Sequence, residues 1–208
     1  MPKLPPKPPS SPPPRPFTPL PAAAAWRHLD ARVGFEVVYA EPYGDGQRIE
    51  GRTTAMEDGE IWAVGYTIEL DASRVTREAR ITGRSLAGTR ETTLTADGAG
   101  RWLVDGAHAA HLDGCLDVDL EASAFTNALP VRRLALDIGT PTSAPAAYVR
   151  AVGLGVERLE QEYTRVEDDA DGRQRYDYAS PAFDFACRLV YDASGLVLDY
   201  PGIAVRVG

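Results

Sequence analysis

Cysteine, histidine, long apolar runs and positive charge are all scarce in this chain, and each shortage excludes something. Two cysteines in 208 residues, Cys115 and Cys187, cannot form a disulfide framework. No apolar run approaches the roughly 20 residues that cross a bilayer as a helix. Twenty-two basic residues against 30 acidic ones give a formal charge of −8. That balance argues against nucleic acid as a partner, because phosphate-backbone binding relies on clustered Lys and Arg. Of three histidines, His108 and His111 stand three apart, but the third, His28, is remote in sequence. A metal site needs another ligand than these provide, so no metal is expected. Sequence templates for a nucleophile elbow, a phosphate loop, a zinc protease helix and a dinucleotide fingerprint are missing. No cofactor is expected.

Proline is abundant, and most of it is in one place. Residues 1–21, MPKLPPKPPSSPPPRPFTPLP, hold eleven prolines, three cations (Lys3, Lys7, Arg15) and no acid. Such a segment favours extended polyproline II and has little apolar surface to bury. We expect a disordered tail over residues 1–23 and a single domain over 24–208. The tail lacks the apolar stretch that a secretory signal needs behind its positive charges, which points to a cytoplasmic protein with reduced cysteines packed as small core residues. Its PPPRP run also has the chemistry of a docking peptide for a proline-recognising groove.

Beyond Trp26 the dominant period is two, the strand period. GFEVVYA is followed by RIEGRTTAM, the turn Glu57-Asp58-Gly59, and IWAVGYTIELD. A second hairpin is predicted from RETTLTA through Asp97–Gly100 to RWLVDG, and a third from FDFACRLVYD through Ala193–Gly195 to LVLDYPGIAVRV. In the third, Phe183, Phe185, Cys187, Leu189 and Tyr191 share one face. No βαβ rhythm is visible, so the expected class is mainly β, a long antiparallel sheet that must curl or close to limit its exposed edges. A free edge strand would allow a homodimer. Helix signals are few: ASAFTNAL, with Ser123 as N-cap and Pro130 as a stop, and APAAYVRAVG, which competes with a strand reading.

The segment LDGCLDVDLEASAFTNALPVRRL, residues 112–134, concentrates the polar chemistry. Alternation places Asp117 and Asp119 on one strand face, about 6.5–7 Å apart, opposite Leu116, Val118 and Leu120. Two such carboxylates could act as general acid and base on a sugar or lipid ester, or could simply occupy the wet face of an amphipathic strand. Thr126 and Asn127 suit backbone capping or an amide contact to a ligand. Read as strand, the run from Arg132 to Ile138 points Arg132 and Arg133 to opposite faces.

This segment resembles the signature of the putative glycolipid-binding family: Gly114-Cys115-Leu116-Asp117-Val118-Asp119-Leu120, then Thr126-Asn127-Ala128-Leu129-Pro130-Val131-Arg132-Arg133. Flanking features resemble it too, among them Gly34-Phe35-Glu36, Asp97-Gly98 before Arg101-Trp102, Gln161-Glu162-Tyr163, Arg175-Tyr176-x-Tyr178 and the closing Asp192 to Pro201. The resemblance covers about residues 26–208. It departs at Val75, where the family usually shows tryptophan, and at Ser123-Ala124, where it shows Thr/Ser-Pro.

The resemblance implies a spiral β-roll, a long antiparallel sheet wound around a single short helix, with a likeness to carriers of lipoproteins between bacterial membranes. It further implies non-enzymatic binding of an amphiphile, a glycolipid or another of that class. The acyl part would lie on the inner face of the curled sheet, and the head group would meet Asp117, Asp119, Asn127, Arg132, Arg133 and Trp102. A hydrolase using Asp117 and Asp119, and an interaction module using the proline-rich tail, stay open as alternatives.

Overall fold

A computed structural model describes residues 16–30 and 32–207. The elements follow in chain order: β1 (Ala23–His28), β2 (Val33–Tyr43), β3 (Gly46–Glu57), β4 (Glu60–Leu70), β5 (Thr76–Ser85), β6 (Gly88–Ala96), β7 (Trp102–Val104), β8 (Ala107–His108) and β9 (Asp117–Leu120). Then come the helix α1 (Ala128–Leu134), β10 (Thr142–Ser143), β11 (Ala146–Val149), β12 (Val156–Leu159), β13 (Glu162–Val166), β14 (Arg175–Ser180), β15 (Phe185–Tyr191), β16 (Val197–Tyr200) and β17 (Ala204–Arg206).

Fourteen strands form one antiparallel sheet in the order β10-β13-β14-β15-β16-β17-β1-β2-β3-β4-β5-β6-β7-β8. The first and last strands of the chain meet in its middle, where Trp26 pairs with Arg206. The sheet does not close. Its free edges, β8 and β10, are two residues long and offer little length for pairing with a second copy.

The three expected hairpins are present. Asp58 and Gly59 both take positive φ, 50° and 83°, as the tight turn between β3 and β4 requires. Along β4, Trp62, Val64, Tyr66, Ile68 and Leu70 face inward and are buried. The inner face is not vacant for an acyl chain. Ile49, Ile68, Ile81 and Leu94 share a core with Phe125, Leu129, Val118 and Leu120, so the curl is filled by protein. In the third hairpin, Leu189 and Tyr191 are fully buried, whereas Phe183 sits in a short 3-10 turn and is 44% exposed.

Several local expectations change. APAAYVRAVG is strand, not helix: β11 pairs antiparallel with β12 and parallel with β9. The parallel pair arises because the chain leaves β9, builds the helix and returns, a crossover among strand pairs that are otherwise antiparallel save for an isolated parallel bridge between Ile138 and Arg165. The helical segment begins as a 3-10 turn at Phe125–Asn127 and continues through α1 to Leu134, ending where Ala135 adopts left-handed φ. Pro130 therefore lies in the first turn of α1 rather than after its end, a position where its missing N–H costs no intrahelical bond. Arg132 and Arg133 are helical, and their separation is rotational, not the two-faced split of a strand.

The expected tail boundary also shifts. Phe17 and Leu20 pack against the core, and the Thr18 amide donates to the Ala193 carbonyl at 2.9 Å. The disordered-tail expectation covers residues 1–23, and of these Phe17, Thr18 and Leu20 make the contacts just given. For residues 1–15, with the PPPR of PPPRP, it lies outside the described residues.

Candidate functional site

The two aspartates of β9 point at the helical segment, each to a different turn of it. Asp119 accepts the Thr126 hydroxyl at 2.7 Å in the first turn. Asp117 accepts two hydrogen bonds from Arg133 in the last, Nε at 3.0 Å and Nη2 at 2.6 Å. The face they share is not the wet one: Asp117 is fully buried. A two-residue step of about 7 Å along a strand thus brackets seven residues of helix, about 10 Å of rise, with the arginine side chain covering the difference. Burial pushes both carboxyls above their ordinary range. Arg133 offsets that for Asp117; Thr126 and Gln161 offset it for Asp119.

The start of the helix is capped from afar. Glu36 of β2, fully buried, accepts the Ala124 amide at 2.8 Å, the Ser123 hydroxyl at 2.5 Å and the Tyr66 hydroxyl at 2.6 Å. Tyr66 reaches it because Gly51, its cross-strand partner, has no side chain: a Cβ there would lie 2.1 Å from the phenol ring.

Beside this junction lies a cavity of about 240 Å³. Its polar side is made by Asp119, Glu121, Ser123, Asn127 and Arg32. The opposite wall is aromatic: Tyr178, Phe185 and Tyr200 form a triangle with ring centroids 6.1–6.2 Å apart, and Tyr148 pairs with Phe183 at 5.5 Å. Burial raises the phenols of Tyr148, Tyr178 and Tyr200 far above their ordinary value, so they stay neutral donors.

Within the cavity, Asp119 is held on both oxygens, with Gln161 Nε2 donating to the second at 2.7 Å. Asn127 Oδ1 lies 3.1 Å from the Tyr163 hydroxyl, which orients the amide. Its Nδ2 has no acceptor among the described residues. Arg32 is already engaged: it donates to the Glu121 carbonyl, pairs with Glu57 at 3.5 Å and covers the Trp62 ring at 5.3 Å. Behind it the buried His28 imidazole is lowered to about 4 by desolvation and is neutral.

Of the six residues expected to meet a ligand, the structure brings two, Asp119 and Asn127, to the cavity. Asp117 and Arg133 satisfy each other beneath it. Arg132 is buried and donates to the Thr18 and Ser194 carbonyls. Trp102 is fully buried and donates its indole N–H to the Cys115 carbonyl at 2.8 Å; it is a core residue. Asp117 and Asp119 do not jointly face the cavity, which removes the geometric basis of an acid–base dyad. His108 and His111 diverge, one toward Asp113 and the other toward the Val156 carbonyl. The aromatic wall was missed, although Tyr178 and Tyr200 lie in flanking stretches that carry the family resemblance.

The sequence model of the family described as "Putative glycolipid-binding" matches residues 23–206. Among solved structures, the chain is similar to a DUF1089 family protein from Pseudomonas aeruginosa, at 34% identity and a TM-score of 0.70, covering 83% of this chain and 92% of that one. It also shares its fold with a β-barrel-like protein of the DUF1849 family from Brucella abortus, at 13% identity and a TM-score of 0.51, covering 91% of this chain and 95% of that one. No curated protein matches.

Proposed function

The chain belongs to the putative glycolipid-binding family, and from that premise we propose that the cavity beside β9 binds the sugar head group of a glycolipid without chemical turnover. One observation carries the reading: a fixed acceptor, Asp119, and a free amide donor, Asn127 Nδ2, stand opposite an aromatic wall. A sugar hydroxyl both donates and accepts, so this pairing suits it. The C–H-rich face of a sugar ring suits the negative face of aromatic rings. An anionic head group is disfavoured, because both terminal nitrogens of Arg32, the cation in the cavity, are already engaged by the Glu121 carbonyl and Glu57, and only its buried Nε is without a partner among the described residues.

Size supports the same division of the ligand. At about 240 Å³ the cavity falls below the roughly 300–1,000 Å³ of sites that enclose a drug-sized molecule. It admits a head group, while the acyl chains extend outside.

The test is extraction of the natively purified full chain, after incubation with mixed glycolipids, followed by mass spectrometry. A stoichiometric hydroxylated amphiphile is expected. Asn127→Asp, which keeps the acceptor for Tyr163 and removes the donor, and Phe183→Ala, at an exposed position, should each lower its occupancy. Empty protein after supplementation, or lipid retained equally by both variants, would reject the cavity as the binding site.

A further inference from the structure

Strand alternation sorts the outer face of β1–β6 into bands. At one end, Val33 pairs with Met56 and Met56 with Ile61, and the β5–β6 turn carries Leu86 beside them. These are not incidental exposures: Leu86 is 100%, Val33 70% and Ile61 67% exposed, and with Thr54 and Arg84 they line a groove of about 650 Å³. An apolar patch of this kind on the surface needs a partner.

The next bands are basic. One residue pair along, a step of about 7 Å, Phe35 stands between Arg27 and Thr54, with Arg84 opposite Ala63. Arg52 and Arg80 follow on the same face. Gly65 leaves a depression of about 310 Å³ among Arg52, Arg80 and Arg84. Arg52 has no ion pair among the described residues, and Arg84 bonds only the Thr89 hydroxyl. The acids in these bands are Glu50 and Glu91. Arg80 is ion-paired with Glu78 at 2.6 Å. Arg27, Arg52 and Arg84, three arginines without an ion pair among the described residues, stand against the two glutamates and leave this face positive on a chain whose formal charge is −8. Some 27 Å from Ile61, the far end carries Glu41, Glu69 and Glu78 in one row with Arg48. At the apolar end, Glu57 has the opposite parity to Met56 and pairs with Arg32; Asp58 and Glu60 are exposed at the turn.

We propose that this face docks the protein on an anionic phospholipid bilayer, with the apolar end buried in the interface. The order apolar, basic, acidic matches the depth profile of a membrane surface: acyl boundary, phosphates, water. A second copy fits less well, since an isologous contact through this face would set two arginine clusters against each other. The proposal does not depend on what fills the cavity. The two features do share one end of the fold, as Arg32 lines the cavity and Val33 begins the apolar band.

Co-sedimentation of the full chain with phosphatidylcholine vesicles, with and without phosphatidylglycerol, tests this. Binding should require the anionic lipid. Ile61→Asp with Leu86→Asp should abolish it, and Arg52→Ala with Arg84→Ala should weaken it by about fivefold per arginine. All four positions are exposed, so melting temperatures should stay near wild type. The proposal fails if wild type does not sediment. It also fails if both variants bind as wild type does, which would assign binding to Lys3, Lys7 and Arg15. A light-scattering dimer that Leu86→Asp dissolves, without vesicle binding, would instead make the face a contact between copies.

Discussion

Glu36 Oε2 accepts the amide of Ala124 at 2.8 Å, joining residues 88 positions apart. A strand carboxylate thereby caps the start of the inner helical segment, whose own capping residues make no good side-chain cap. The same carboxylate satisfies Tyr66 and Ser123, so one buried group holds three donors that would otherwise be stranded.

Removing that group should be costly. Glu36→Ala leaves the Tyr66, Ser123 and Ala124 donors unpaired, and we expect a loss of about 2–4 kcal/mol in urea unfolding. Glu36→Gln, which keeps one oxygen, should lose less. The pH dependence separates the two effects. Burial raises the Glu36 carboxyl above its ordinary value, so the folded state holds its proton to higher pH than the unfolded chain. Its contribution is complete below the ordinary carboxylate range and falls as pH rises through the raised value. Glu36→Gln should flatten the stability curve over that interval; an unchanged slope would place the titration elsewhere.

Asp117 and Arg133 carry a different prediction, because among the described residues each is the other's only ionic partner. Arg133→Met should destabilise by about 3–5 kcal/mol, since it leaves the buried Asp117 uncompensated. Adding Asp117→Asn to that variant should recover part of the loss. A double-mutant cycle by chemical denaturation reads the coupling, and additive losses would show that the two side chains act independently.

Much of this arrangement was legible in the residues, and the illegible part has physical causes. Alternation correctly put Asp117 and Asp119 on one face, and Asp58-Gly59 correctly marked a hairpin. Burial of that face was hidden, because whether a helix covers a strand is a tertiary fact with no local trace. Arg132 and Arg133 misled in the same way: Leu134, Leu136 and Ile138 alternate like a strand, yet the helical turn closes on Ala135. Pro130 reads equally as a stop or as a first-turn residue until the helix start is known, and that start is set by Glu36 from β2. The cavity wall was hardest. Tyr178 and Tyr200 obey the same period as fully buried Tyr163 and Tyr191, so sequence could not separate lining from core.

Gly195 offers the last test, at the point where the proline-rich segment joins the body. Its φ is +78°, and a Cβ there would lie 3.0 Å from the Phe17 ring and 2.9 Å from Arg132 Cγ. Gly195→Ala therefore adds backbone strain to a clash on both sides, about 1–3 kcal/mol in all. The clash can be relieved by expelling Phe17, which would also take the Thr18 carbonyl away from Arg132. Arg132 is already poorly solvated, with its guanidinium lowered to about 10 by burial and by nearby Arg74. Losing a carbonyl acceptor there should make the deletion of residues 1–21 more destabilising than the deletion of residues 1–15. Amide exchange at Thr18, protected in wild type by Ala193, should accelerate in Gly195→Ala while exchange in β4 stays slow. Equal acceleration in both would mean that the substitution lowers global stability and that the segment does not detach on its own.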